Sequence, residues 1–142
     1  MMVRAATSEF VPPSRLRLVL PGILAERPRA LRFIAGVCRA HGLSGDVEHA
    51  LVSAFGEAFN HAVLYSYEHV AGTVAVEVAV ARDRITVQLR DRGAGFEVGG
   101  GAPERRYGLF IILRAMDEAR WWREGDENVV CLVKRIPNAQ TT

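Results

Sequence analysis

Lysine is almost missing from this chain: arginine supplies seventeen of the eighteen cationic side chains and Lys134 is the other. That scarcity excludes the GxxxxGK[ST] phosphate loop and the VAIK-type strand lysine, which both need a lysine in the motif. A chain like this that handles ATP must do so on another scaffold. Cysteine is scarce too. Cys38 and Cys131 are too far apart in sequence for a metal-binding pair, and two thiols make no disulfide framework; their apolar surroundings mark them as small core residues. The four histidines, His41, His49, His61 and His69, show no HExxH or comparable spacing, which excludes a metal-hydrolase reading. Long apolar runs are absent. None approaches the roughly 18 residues of a membrane-spanning helix, and the best are cut by Pro21, Glu77 or Arg82. Residues 1–13 hold no apolar run followed by a small-residue cleavage site, so the expected location is the cytoplasm, with no membrane partner. Nor does charge of one sign accumulate. Eighteen Lys plus Arg face sixteen Asp plus Glu, a net charge of +2 without a long cationic run, and nucleic acid is not implied.

What is present describes one globular domain. The 142 residues, 49% hydrophobic and 24% charged, suffice for a single core, whereas two domains would each sit near the lower size limit. Residues 1–13, closed by Pro12-Pro13, lack periodicity and are expected to be a disordered tail, with a domain over 14–136 and a polar tail over 137–142. Residues 15–20 alternate as a half-buried strand, stopped by Pro21-Gly22. Helical spacing runs over 28–41, with Leu31, Ile34, Ala35 and Cys38 on one stripe and Gly42 as the stop. Ser44 or Asp46 can cap a long helix reaching to about residue 67, with a core stripe of Val47, Ala50, Leu51, Ala54, Ala58 and Ala62. Residues 74–80 and 85–90 alternate on either side of Arg82-Asp83-Arg84, a hairpin. Five glycines within 93–101 predict a loop. A third helix is expected to begin near Gly108, with Leu109, Ile112, Leu113 and Met116 at core spacing, and residues 120–123 and 129–136 form a second hairpin around 124–128. The implied fold is α+β: a mostly antiparallel sheet covered by helices on one face and partly wet on the other.

Three places can carry chemistry. Period two puts Asp91 on the apolar face of Ile85, Val87 and Leu89 at a strand end, where a carboxylate is costly unless donors meet it. Arg92-Gly93-Ala94-Gly95-Phe96 then turns the backbone away. The segment is an ordinary Asx-type turn or a pocket floor offering an acceptor to a donor such as an adenine amino group. On the long helix, Glu57 neighbours Asn60 and His61, a patch suited to general-base work or to a water-mediated metal, or else a solvated face. Arg105-Arg106-Tyr107-Gly108 joins guanidinium groups to the free N–H groups of a helix start, a plausible anion site or simply exposed arginines.

The order and spacing of these features resemble the N, G1 and G2 boxes of the GHKL ATPase superfamily, the Bergerat fold of gyrase, histidine kinases and MutL. The short chain, Phe55-Gly56-Glu57-Ala58-Phe59-Asn60-His61-Ala62, Asp91-Arg92-Gly93-Ala94-Gly95-Phe96 and Gly108-Leu109-Phe110-Ile111-Ile112 with Met116-Asp117-Glu118 are similar to the anti-sigma factor serine kinases of partner-switching systems. The resemblance covers about residues 15–136 and implies a two-layer α/β sandwich. It implies ATP or ADP with magnesium as cofactors, Glu57 as general base and Asp91 as acceptor for the adenine amino group. Gly93, Gly95, Gly108 and Leu109 would shape the nucleotide pocket and its lid, with Arg105 and Arg106 beside the phosphates. The implied reaction moves the γ-phosphoryl group of ATP to a serine of a small anti-sigma antagonist, while the same kinase alternately holds a sigma factor. A homodimer is a further family expectation, with residues 15–20 as a candidate exposed strand. Two departures stand out. His61 occupies the position of the family's magnesium-binding Asn, with Asn60 one place early, and Arg106 replaces the first glycine of the lid. They leave room for the alternative of a degenerate ATPase-like module that regulates by contact without phosphoryl transfer. A histidine-kinase pathway ATPase ranks last, because the chain has no room for a dimerisation helix pair with a phosphoaccepting histidine.

Overall fold

The computed structural model describes residues 14–67, 72–93 and 103–137. The expected tails, apart from Pro137, and the glycine loop beyond Gly93 lie outside them. The elements follow the expected order. Strand β1 (Ser14–Pro21) leads through a short 3₁₀ turn (Leu24–Glu26) to helix α1 (Arg27–Ala40), followed by helix α2 (Gly45–His61). Strands β2 (Thr73–Val80) and β3 (Arg84–Asp91) precede helix α3 (Pro103–Ala115) and the hairpin β4 (Glu118–Glu124) and β5 (Glu127–Arg135).

Local sequence explains the boundaries. Pro28 sits in the first turn of α1, where its missing N–H costs nothing. The helix stops at Gly42, whose φ of 66° suits glycine; Gly42 N donates to Arg39 O and Leu43 N to Cys38 O, the paired bonds of a Schellman ending. Ser44 rather than Asp46 caps α2, its hydroxyl accepting from Val47 N at 3.3 Å. Helix α2 is α-helical only to His61, and residues Ala62–Tyr67 widen into a π-helical turn. The β4–β5 turn is shorter than expected. Gly125, with φ of 63°, permits a tight reversal, so Glu127 and Asn128 belong to β5 and not to the turn.

Sheet order is β1-β2-β3-β5-β4, every neighbouring pair antiparallel. β1 is therefore an edge strand. The helices cover one face, where Leu20, Val74, Val76, Val87, Leu89, Val130 and Leu132 meet Ile34, Leu51, Ala54, Phe55, Ala58 and Phe59 in one core. The other face carries Arg17, Glu77, Gln88, Cys131 and Arg120 in one cross-strand row. Both cysteines are buried, as expected. Burial first, and then the Glu48 carboxylate, push the Cys38 thiol up to about 11, so it stays protonated at neutral pH. No helix among the described residues is long and apolar enough to cross a membrane.

Helix α3 differs from expectation in two ways. It begins at Pro103, more than a turn before Gly108, because its polar first turn carries no apolar period to read. Leu113 is 54% exposed rather than core. Leu109, Ile112 and Met116 form the buried stripe, and Leu113 lies about 100° round the helix from Ile112, past its edge. Replacing Ile112 by Ala is expected to cost about 2–4 kcal/mol of unfolding free energy, against less than about 1 kcal/mol for Leu113→Ala. Urea denaturation of the two variants measures the gap, and equal costs would put Leu113 back in the core.

Candidate functional site

Asp91 closes the helix-facing row of β3, between Val74 of β2 and Asn128 of β5. It is 4% exposed, so its carboxylate must find donors within the protein. Among the described residues both donors fall on one oxygen: Gly93 N–H at 2.9 Å, closing an Asx turn, and Asn128 Nδ2 at 2.8 Å, both to Oδ1. Asn128 Nδ2 also donates to Gly93 O at 2.9 Å, and Arg123 Nη1 donates to Gly93 O at 3.1 Å and to Asn128 Oδ1 at 2.8 Å. The turn and the pocket-floor readings of Asp91 are thus compatible, since the Asx turn uses one oxygen only.

The second group sits on α2. Glu57 and Asn60 are half-buried and His61 is buried, so this patch is not a solvated helix face. Helix α3 packs against it through Gly108. A Cβ at that position would lie 2.7 Å from both Glu57 Oε1 and His61 Nε2, so the glycine is what lets the two side chains reach α3. Gly56 does similar work on another side of α2. A Cβ there would collide with the Arg27 guanidinium, whose Nε donates to Gly56 O at 3.5 Å.

Gly93 is buried in the Asp91 turn, and Leu109 is buried under α3. Arg105 and Arg106 fall in the first turn of α3; their side chains, and Gly95, lie outside the described residues. The earlier start of the helix corrects one expectation: its free N–H groups belong to residues around 104–106, since Pro103 has none, and Gly108 sits a turn inside. Asn128 and Arg123 were not foreseen. Their sequence signal is a polar turn, and only the β3–β5 register sets Asn128 against Asp91.

A family model described as the histidine kinase-like ATPase domain matches residues 21–134. The chain belongs to this family. In this histidine kinase-like ATPase domain Asp91 lies in the helix-facing row of the sheet, and the α2 patch sits on one of the helices that cover that face. One similar solved structure is that of the RsbU and RsbW domains of Rv1364c from Mycobacterium tuberculosis, with a TM-score of 0.68 at 18% identity. The likeness covers 87% of this chain and 32% of that one, and at this identity it is a likeness of fold. No curated protein matches.

Magnesium, which the motifs' resemblance to anti-sigma factor serine kinases implies, takes oxygen ligands and tolerates imidazole poorly. Here the expected ligand position is the buried His61, with its Nε2 against Gly108, and no group of three His, Cys, Asp or Glu side chains able to hold a metal occurs among the described residues. The donor set does not fit a magnesium site. Gly108→Ala is expected to destabilise the domain by about 1–3 kcal/mol through overpacking. Combining it with His61→Ala should recover at least about 0.5 kcal/mol relative to additivity, because the imidazole is one of the groups displaced. A double-mutant cycle by thermal denaturation checks this, and strict additivity would separate His61 from Gly108.

Proposed function

We propose that this domain is a cytoplasmic partner-switching regulator that binds ATP or ADP and acts as a serine kinase on a small anti-sigma antagonist, holding a sigma factor in alternation. The observation that carries the reading is a pair of carboxylates in different settings. Asp91 is buried and anchored through one oxygen, a fixed acceptor suited to a base. Glu57 is half-buried where α2 meets Gly108, on the helix face that α3 packs against, the position this reading gives to the general base.

In this reading Asp91 accepts from the adenine amino group, while Gly93 and Gly95 shape the pocket around the base. The first turn of α3, with its free N–H groups and Arg105 and Arg106, meets the phosphates; Gly108 and Leu109 set how closely that helix approaches. Glu57 accepts the serine hydroxyl proton as the serine oxygen bonds to the γ-phosphorus. The bond from that phosphorus to the bridging oxygen breaks, and ADP leaves. Because the donor set does not suit magnesium, no step of the chain's own chemistry runs through a metal. A homodimer through the β1 edge of the sheet belongs to the same proposal.

One observation favours a second reading, regulation by contact alone. His61, buried at the position where the resemblance places a metal-binding Asn, leaves Asn60 as the nearest amide, half-buried one step round the helix.

Calorimetric titration with ATP and ADP, with and without magnesium, separates the two. Asp91→Asn is expected to weaken nucleotide binding by about tenfold or more, since it turns an acceptor oxygen into a donor. Glu57→Ala should bind normally but form ADP from ATP about 100-fold more slowly. Binding with ADP formation supports the kinase; binding without ADP formation supports contact alone. No binding by the folded protein overturns nucleotide binding in both forms.

A further inference from the structure

The β4–β5 hairpin contributes a residue to which none of the motifs assigns a role. Asp91 Oδ1 receives the Gly93 N–H and Asn128 Nδ2, and a carboxylate oxygen has two lone pairs, so that oxygen is filled. Among the described residues nothing donates to Oδ2, the oxygen that remains for a ligand. The Asn128 amide cannot exchange its ends: its Oδ1 is taken by Arg123 Nη1, and the second hydrogen on Nδ2 is given to Gly93 O. Arg123 also donates to Gly93 O and, at 3.5 Å, to Asp126 O, which ties the hairpin turn to the Asp91 turn.

We propose that Asn128, oriented by Arg123, is the specificity-determining residue that makes Asp91 select adenine over guanine. The inference rests on the nucleotide-binding reading above. Adenine offers a carboxylate one donor, its 6-amino group, with an acceptor nitrogen beside it. Guanine offers two adjacent donors, N1–H and the 2-amino group, which together suit both oxygens of one carboxylate. With Oδ1 filled, Asp91 satisfies the single donor of adenine and leaves guanine one buried donor without a partner, a costly mismatch. Removing the Asn128 amide returns a lone pair to Oδ1 and lets the carboxylate grip guanine with both oxygens. Asn128 acts through Asp91, so it is a positioning residue.

The test is calorimetric titration of the full chain, Asn128→Ala and Arg123→Ala with ADP and with GDP, folding being verified by circular dichroism. The full chain is expected to prefer ADP by about tenfold or more, and Asn128→Ala to bring the preference within about threefold, chiefly by tightening GDP. Arg123→Ala should fall between. A purely structural role would weaken both nucleotides alike, and an unchanged ratio in the variants overturns the inference. Equal binding of ADP and GDP by the unaltered protein also overturns it, while leaving nucleotide binding intact. Binding of neither overturns both. Should Asn128→Ala fail to fold, the ratio in Arg123→Ala, which alters an exposed side chain, decides in the same way.

Discussion

The antiparallel pairing of β3 with β5 brings together residues 37 positions apart, and the Asp91 end of the site depends on it. Gly93 alone could turn the chain, but it would leave a buried carboxylate with one donor. The register supplies the second from Asn128, and Arg123 on the neighbouring strand β4 fixes that donor's direction. A slip of one residue would turn Asn128 to the opposite face and set Val129 against Asp91. The same register puts Val130 beside Leu89 and Leu132 beside Val87, so the core that holds the pairing also orients the site.

Helix α2 is the second constraint. It packs on the sheet through Ala54, Phe55, Ala58 and Phe59, the two rings 6.2 Å apart, while Gly56 admits Arg27 from the α1 side. Small residues bring the helix close enough that Glu57 and His61 reach Gly108 of α3. The polar residues of α2 are therefore partly enclosed, which gives a carboxylate and an imidazole a setting that a surface helix would not. Burying these groups costs stability, and the apolar contacts along the rest of the helix offset it.

The sheet face without helices is built differently. Arg90 lies among Glu77, Glu124 and Glu127, and Arg17 pairs with Glu77, so the strands carry a charged network where water reaches them. Such pairs add little each to stability. Their consequence is solubility and register: Arg17 faces Glu77 across β1 and β2 in the observed alignment, and a one-residue slip would set Leu16 or Leu18 against Glu77 instead.

Period-two runs, the Gly42 stop, the capping residues Ser44 and Asp46 and the small-residue stripe of α2 were enough to determine the order of the elements and the α+β class, because each depends on neighbours a few residues away. The motifs around Glu57, Asp91 and Gly108 pointed to the histidine kinase-like ATPase family for the same reason: their spacing is local. The exposure of Leu113, the burial of His61 and the early start of α3 were not legible. They depend on how wide a face each helix presents to its neighbours, and a polar first turn has no apolar period. Asn128 and Arg123 were hidden for a stronger reason. Nothing near them in the sequence names Asp91, and only the tertiary pairing of β3 with β5, set by side chains throughout the core, brings a turn asparagine onto a buried carboxylate.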